Sequence, residues 1–152
     1  MSFILKVVAG LTAAFALVAT SAAGEYGTKV EAVALAQKAI AHYKANGKDK
    51  SFAEVSNKAG AFIDRDLYVY VFDQNALMMA HGTNDKLVGK NLMQLKDADG
   101  KLFVQDLVAV MKSGKGGWVD YKWPNPVTKQ IEQKTTYIEP VGEYGFAVGV
   151  YK

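Results

Sequence analysis

Aromatic side chains with polar ends, together with one strand lysine, have the types and spacing that suit ligand binding in this chain. Val119, Tyr121 and Trp123 alternate along a predicted strand, which places all three on one face of it. Apolar walls with a few directed hydrogen-bonding groups are typical of pockets for small molecules. For a carboxylate ligand, Lys134 in the middle of the next predicted strand would supply the positive charge. From these residues we predict a pocket for a small molecule.

Each candidate contact has a predicted role in this pocket. The hydroxyl donors are Tyr70 and Tyr121, the counter-charge is Lys134, the wall is Trp123, and the rim residue is His81. Each also has a structural alternative, because strand aromatics usually belong to a core and strand lysines usually face solvent. A histidine at the end of a strand is usually satisfied by its own loop. The sequence leaves both interpretations open.

The sequence contains no recognisable catalytic motif. It has no cysteine and two histidines, and it lacks the G-x-S-x-G, H-E-x-x-H and P-loop patterns. Asp97-x-Asp99-Gly100 resembles the start of a calcium loop, but the remaining spacing and the terminal glutamate are missing, which favours a turn. We therefore expect a protein that is not an enzyme and that uses neither a metal nor a cofactor.

The composition is that of one soluble globular domain behind a targeting segment. The chain has 152 residues, of which 50% are hydrophobic and 22% charged, and its net charge of +3 is too small to indicate nucleic-acid binding. Lys6 precedes an apolar run over residues 7–19 and then a group of small residues, which is typical of a secretory signal peptide.

The end of this segment suits signal-peptide cleavage after Ala23, since Ser21 and Ala23 would occupy the −3 and −1 positions. We predict a signal peptide over residues 1–23 and a single domain over 24–152, located in the periplasm or outside the cell. The alternative is an uncleaved anchor, although the apolar run is shorter than the roughly 20 residues that a spanning helix needs.

Helical patterns open the domain and recur in its middle. Thr28-x-x-Glu31 is a capping box before an apolar stripe, and Asn46-Gly47 is the predicted end of this first helix. Ser51-x-x-Glu54 is a second capping box, with a stripe that reaches Phe62. A third helix is predicted over residues 102–112.

Short β-branched and aromatic runs predict the strands. Tight turns separate most of them, which favours an antiparallel meander. Because helices precede and interrupt the strands, the predicted fold class is α+β, with a long N-terminal helix packed on a five-stranded antiparallel sheet. The predicted strands cover residues 67–72, 76–80, 118–123, 131–141 and 146–151.

Seven segments occur along the domain in a characteristic order. They are Y-V-Y-V-F-D at 68–73, M-M-A-H at 78–81, L-V-G-K-N-L at 87–92, D-x-D-G-K at 97–101, G-G-W-V-D-Y-K-W-P-N-P at 116–126, K-x-x-Y at 134–137 and V-G-V-Y at 148–151. Together they resemble the single Cache domain, type 2, an extracytoplasmic sensor module of bacterial chemoreceptors and histidine kinases. The resemblance covers essentially all of residues 24–152, and the segment at 116–126 is its most specific part.

The resemblance implies a PAS-like sheet and a small pocket that binds organic acids such as acetate, propionate, lactate or pyruvate. It adds Tyr137, the tyrosine of the K-x-x-Y segment, to the candidate ligand contacts. Two features depart from the family pattern. Gly82 stands where the family usually has a proline, which predicts a looser loop, and the chain ends at Lys152 without the usual signalling module, which predicts a solo exported protein.

Two functional hypotheses follow. The leading one is an exported sensor-type domain that binds a short monocarboxylate and serves a membrane receptor or transporter. The alternative is an interaction module with a vestigial pocket, which forms a homodimer through its N-terminal helix or docks to a membrane receptor. Neither hypothesis includes a nucleic-acid partner.

Overall fold

The computed structural model describes residues 26–152. Two helices come first in this part of the chain, and a third helix interrupts the strands that follow, as in an α+β fold. The predicted signal peptide over residues 1–23 lies outside the described residues. Within 26–152, no helix has the length and apolar character needed to cross a membrane. The elements are α1 (Lys29–Asn46), α2 (Lys48–Val55), β1 (Ile63–Asp64), β2 (Leu67–Asp73), β3 (Met78–His81), α3 (Phe103–Lys112), β4 (Gly117–Pro124), β5 (Ile131–Val141) and β6 (Tyr144–Tyr151).

The strands form one antiparallel sheet, but the predicted meander is wrong. The order is β1-β2-β6-β5-β4, and β3 pairs with β2. β6 is inserted between β2 and β5, because the segment that carries α3 takes the chain to the far edge of the sheet before β4 begins. All five predicted strands are present, and β1 is a sixth that has only two residues. Such a short strand leaves no periodic pattern in the sequence.

The sheet separates two hydrophobic cores. On one face, α1 and α2 pack against the residues of β2 and β6 that point towards them, such as Val71 and Val148. On the other face, α3 and the connection between β3 and β4 cover a second core, which includes Tyr70, Tyr121 and Leu107. The candidate aromatic residues of the sequence belong mostly to this second face.

The first helix begins as the sequence predicts. Thr28 Oγ1 accepts a hydrogen bond from the Glu31 amide at 3.2 Å, and Glu31 Oε2 accepts one from the Thr28 amide at 2.7 Å. The turn between β1 and β2 holds the same end of α1. Arg65 forms an ion pair with Glu31 at 2.7 Å, and Asp66 Oδ1 accepts a hydrogen bond from the Gly27 amide at 2.7 Å.

The second predicted capping box is wrong. α2 starts at Lys48, directly after the glycine that ends α1, so Ser51 lies inside the helix and not at its start. The Ser51 side chain is fully buried and forms a hydrogen bond with His42 Nδ1 of α1 at 2.8 Å. The helix ends at Val55, and Phe62 of the predicted stripe instead packs in the core just before β1.

Candidate ligand-binding site

A small cavity lies between the sheet and the segment that connects β3 to β4. Its volume is about 20 Å³, which is room for about one water molecule. Both walls are largely aromatic or aliphatic. The lining residues are Tyr68, Tyr70, Phe72, Ala76, Met78, His81, Leu87, Leu92, Leu95, Phe103, Val104, Leu107, Tyr121 and Trp123. The structure therefore brings four of the six candidate residues to one cavity: Tyr70, His81, Tyr121 and Trp123.

Lys134 lies directly behind this cavity, within a cage of tyrosines. The register places it beside Tyr121 of β4 and Tyr151 of β6, and only 1% of the residue is exposed. Its Nζ donates a hydrogen bond to the Tyr68 hydroxyl at 2.7 Å. The same Nζ lies 4.2 Å from the Tyr68 ring centroid, 4.9 Å from that of Tyr151, and 5.6 and 5.8 Å from those of Tyr70 and Tyr121.

The Lys134 ammonium has no carboxylate within 4.0 Å among the described residues. Burial lowers the pKa of Lys134 to about 7, and the charge of Asp66 acts in the opposite direction. Tyrosine ring faces attract a cation, but they replace lost hydration less well than an ion pair does. The site therefore holds a cationic group whose direct anionic partner is missing from residues 26–152.

Two chains of hydroxyl groups extend from the cage. Tyr68 and Tyr151 share a hydrogen bond at 3.2 Å, and the Tyr151 hydroxyl donates to the Pro124 carbonyl at 2.8 Å. In the second chain, the Tyr121 hydroxyl lies 3.0 Å from that of Tyr70 and 3.0 Å from Thr136 Oγ1. Burial raises the pKa of Tyr121 to about 12, so this phenol is neutral at physiological pH and remains able to donate a hydrogen bond.

His81 is satisfied by its own loop and also faces the cavity. Its Nδ1 accepts hydrogen bonds from the amides of Thr83 at 3.2 Å and Asn84 at 3.0 Å, and its ring stacks on Tyr70 with centroids 5.6 Å apart. Burial, followed by the charge of Lys134, lowers the pKa of His81 to about 3. Because Nδ1 accepts two hydrogen bonds, we place the single proton of the neutral ring on Nε2.

Tyr137 does not belong to this cavity. Its ring packs at the α1 face of the sheet, 5.4 Å from Trp118, and its hydroxyl donates to Glu139 at 3.1 Å. Residues three apart on a strand point to opposite faces, so Lys134 and Tyr137 cannot both face the same pocket. The structure therefore does not bring Tyr137 together with the other candidate contacts at this cavity.

Sequence reasoning missed several residues of the site. Phe103 of α3 stacks on Tyr121 with ring centroids 4.1 Å apart and closes the cavity from the outside. Tyr68, Tyr151 and Thr136 complete the cage and its hydroxyl chains. Tyr68 could have been predicted from its alternation with Tyr70 on the same strand. Predicting Tyr151 and Thr136 requires knowledge of the order of the strands in the sheet.

The two loop features noted in the sequence have structural explanations. The Gly82 amide donates to the Val69 carbonyl at 3.0 Å, a bond that a proline could not make, so this loop is tied to β2 and the expected looseness is wrong. Asp97 Oδ1 accepts from the amides of Asp99 and Lys101, and Oδ2 accepts from Lys122, which confirms the predicted turn. Among residues 26–152 there is no cluster of side chains that could hold a metal ion.

Comparison with known proteins agrees with this architecture. Residues 6–151 match the profile of the family described as single Cache domain 2. The chain belongs to this family. Single Cache domains are extracytoplasmic sensor domains of chemoreceptors and histidine kinases, and the family is one of sensory ligand-binding domains rather than enzymes. The predicted resemblance is thus confirmed.

Two curated relatives contain a segment similar to this chain. The methyl-accepting chemotaxis protein McpP of Pseudomonas putida is 31% identical over 86 residues, which are 57% of this chain and 16% of McpP. The sensor histidine kinase MctS of Rhizobium johnstonii is 32% identical over 85 residues, which are 56% of this chain and 18% of MctS. The matched segment thus covers less than a fifth of the length of these relatives.

Solved Cache domains share the fold. A methyl-accepting chemotaxis protein from Vibrio parahaemolyticus aligns with a TM-score of 0.69 and 25% identity, covering 81% of this chain and 87% of that one. A Cache chemosensory domain studied for carboxylic acid recognition aligns with a TM-score of 0.67 and 25% identity, covering 80% and 91%. The α+β, PAS-like class predicted from the sequence is therefore confirmed.

Proposed function

We propose that this Cache domain binds a short organic monocarboxylate in the cavity beside Lys134 and acts as its sensor. The observation that carries the proposal is the buried Lys134 ammonium, which has one hydroxyl partner and, among residues 26–152, no carboxylate within ion-pair distance. A ligand carboxylate would supply the missing anion. The solved Cache domain studied for carboxylic acid recognition supports the same class of ligand.

The surrounding groups favour a carboxylate with a small apolar remainder. The hydroxyls of Tyr68, Tyr70 and Tyr121 and Nε2 of His81 are neutral hydrogen-bonding groups at or beside the cavity, so a carboxylate would have donors besides the lysine. The described residues of the opposite wall, such as Phe103 and Leu92, include no charged group. A second ligand charge would lie unpaired against this wall, which favours a monoanion over a dianion.

A ligand of two to four carbons is larger than the cavity of about 20 Å³. Entry therefore requires an outward shift of the residues that cover the cavity. The covering side chains Leu87, Leu92 and Leu95 come from the connection between β3 and α3, which contributes no strand to the sheet apart from one bridge between Asn91 and Leu77. We place the movement in this connection.

Isothermal titration of the purified protein with acetate, propionate, lactate and pyruvate tests the proposal. At least one should bind with a dissociation constant below ~1 mM, about 4 kcal/mol of binding free energy. Lys134→Met should weaken binding about 100-fold, since it removes a buried charged partner. Lys122→Met is the matched control, because Lys122 lies on the next strand and pairs at the surface with Asp99 at 2.9 Å.

The test can fail in two ways. If the folded protein binds none of the four acids, the ligand class is wrong. If Lys134→Met binds as tightly as the wild type, the site is wrong. Replacing a buried charge with an apolar chain of similar volume is often neutral or stabilising, so the Lys134→Met variant should remain folded.

Location and partners are part of the same proposal. We infer export by the signal peptide over residues 1–23, a periplasmic or secreted location, and a membrane receptor or transporter as the recipient of the signal or ligand. A homodimer through α1 has some support, because Val30 is 80% exposed and Trp118 beside it is 36% exposed. A concentration-dependent dimer without any response to carboxylates would favour the alternative, an interaction module with a vestigial pocket.

A further inference from the structure

We propose that Gly149 is a positioning residue for the ligand site, because its lack of a side chain opens the path that the Lys134 chain follows across the sheet. The contribution of Gly149 to binding rests on the proposed carboxylate site, whereas its effect on Lys134 does not. Gly149 lies in β6, within the V-G-V-Y segment at 148–151, and that pattern by itself gives the glycine no role in the site.

The register explains why this position matters. Lys134 stands on β5 beside Tyr151 of β6, but its Nζ bonds to Tyr68 on β2, so the side chain must cross β6. Gly149 pairs with Thr136 on β5. On the other side of β6, the antiparallel register pairs Val148 with Val69 of β2. One position further along, Tyr68 therefore lies opposite Gly149. Gly149 therefore lies between Tyr68 and Thr136, directly under the Lys134 chain.

A β-carbon at position 149 would not fit beside this side chain. It would overlap Lys134 Cε, lie 3.0 Å from Lys134 Cδ, and lie 2.5 Å from Thr136 Oγ1. Both neighbours belong to the site, since Thr136 Oγ1 bonds to the Tyr121 hydroxyl. Both contacts are shorter than a β-carbon tolerates, so both groups must shift, and the lysine chain, which is the closer and the more flexible, must move further.

The backbone itself does not require glycine here. Gly149 is not among the residues with positive φ, and it is paired within a central strand. In such a position glycine normally weakens a strand, because it has no side chain to pack and gains freedom on unfolding. The space needed by the Lys134 chain, and by the Thr136 hydroxyl beside it, thus accounts for glycine at this position.

The direct test is to titrate Lys134 in the Gly149→Ala variant. NMR of lysine-labelled protein without ligand monitors the titration. Lys134→Met identifies the resonance. In the wild type this group should titrate near pH 7, because burial lowers its pKa. In Gly149→Ala the displaced ammonium should titrate more than one pH unit higher, as it leaves the cage for water. An unchanged titration would overturn the proposal.

A double-variant cycle protects the test against a simple folding defect. Lys134→Ala removes the chain that meets the new β-carbon, so adding Gly149→Ala should lower the thermal midpoint much less in this background than in the wild type. An equal loss in both backgrounds would show that the strain lies elsewhere and would contradict the proposal. This comparison remains informative even if Gly149→Ala alone unfolds.

Ligand binding gives the final readout. If acetate binds the wild type, Gly149→Ala should weaken it at least tenfold while the fold, judged by circular dichroism, is retained. Unchanged acetate affinity would contradict the positioning role. If acetate does not bind the wild type but the Lys134 titration still shifts, the proposed ligand is wrong and the assignment of Gly149 stands.

Discussion

Lys134 is the residue on which the proposed chemistry of this domain depends. A buried ammonium loses its hydration, and here one hydroxyl and four tyrosine rings replace it in part. A pKa near 7 means that the group can gain or lose its proton in the physiological range. An anion placed against it would stabilise the charged form, so ligand and proton are linked at this single atom.

His81 allows a test that separates a loop role from a ligand role. His81→Leu removes the Nδ1 acceptor of the Thr83 and Asn84 amides, so the free energy of unfolding should fall by about 1–3 kcal/mol. His81→Asn places an amide oxygen near the Nδ1 position and should retain most of that stability. Urea denaturation of the two variants measures the difference.

The carboxylate affinity of His81→Asn, the variant that should keep most of its stability, then tests the ligand role of His81. His81→Asn lacks the Nε2 donor, so carboxylate affinity should fall several-fold while the loop remains intact. Equal stability of the two variants would mean that the two amide hydrogen bonds contribute little.

Alternation along a strand predicted well which residues of that strand share a face. It predicted poorly which residues of different strands meet at the cavity. It placed Tyr121 and Trp123 together on the cavity face, as the structure does. The pairing of Lys134 with Tyr137 came from a short motif, and alternation alone argues against it, since the two residues are three positions apart. Tyr151 could not be found in this way because its neighbours are set by strand order.

At the level of elements, the turn between β1 and β2 holds the start of α1. Asp66 is fully buried, and its Oδ1 accepts the Gly27 amide at 2.7 Å. Asp66→Ala leaves that buried amide without its partner, so the free energy of unfolding should fall by about 1–3 kcal/mol. Hydrogen exchange at the Gly27 amide should accelerate, and urea denaturation gives the stability change.

Asp64→Ala is the matched control for this prediction. Asp64 lies two residues earlier and pairs with Arg65 at 3.0 Å, but its side chain is 53% exposed. Exposed ion pairs contribute about 0–1 kcal/mol, so this variant should lose much less stability. Similar losses in both variants would contradict the assigned role of Asp66.

Elements were predictable where a local signal determined them. The capping box at Thr28 and the positive-φ glycine at Gly47 define both ends of α1 without help from the rest of the fold. Ser51 has the same local pattern, yet its hydroxyl bonds to His42 of the neighbouring helix. In a tight helical connection, a tertiary partner outweighs the local capping preference.

For the whole molecule, strand order assembles the site and was the part of the fold that sequence could not supply. Tyr68 of β2 and Lys134 of β5 are separated by one strand, and that strand is the last one of the chain. Tight turns favour neighbours in sequence, which led to the wrong meander. The long segment with α3 was the one signal that the chain could cross to the other edge.

The linkage of ligand and proton predicts how the whole domain responds to pH. If a carboxylate raises the pKa of Lys134 above about 7, the complex holds more protons than the free protein above that pH. Affinity should then be constant between pH 6 and 7 and fall above pH 7, by up to about tenfold per pH unit. Titration calorimetry from pH 6 to 9 measures this profile.

The imidazole and phenol groups around Lys134 do not titrate between pH 6 and 9. His81 has a pKa of about 3, and burial raises the pKa of Tyr68, Tyr70, Tyr121 and Tyr151, so these stay neutral across the range. Asp66 is a carboxylate whose charge acts on Lys134, and burial raises its pKa as well. Lys122→Met should give the same profile as the wild type, and a flat profile in either protein would contradict the linkage.

The isolated ammonium of Lys134 also has a consequence for how such domains diverge. An apolar residue at this position should make an unliganded domain more stable, since it ends the burial of an unpaired charge. In descendants that no longer need a ligand, selection for stability alone would therefore replace this lysine with an apolar residue. If Lys134 binds the carboxylate as proposed, a domain that keeps a lysine here is one in which recognition still outweighs stability, and residue 134 then serves as a marker of retained function among divergent copies.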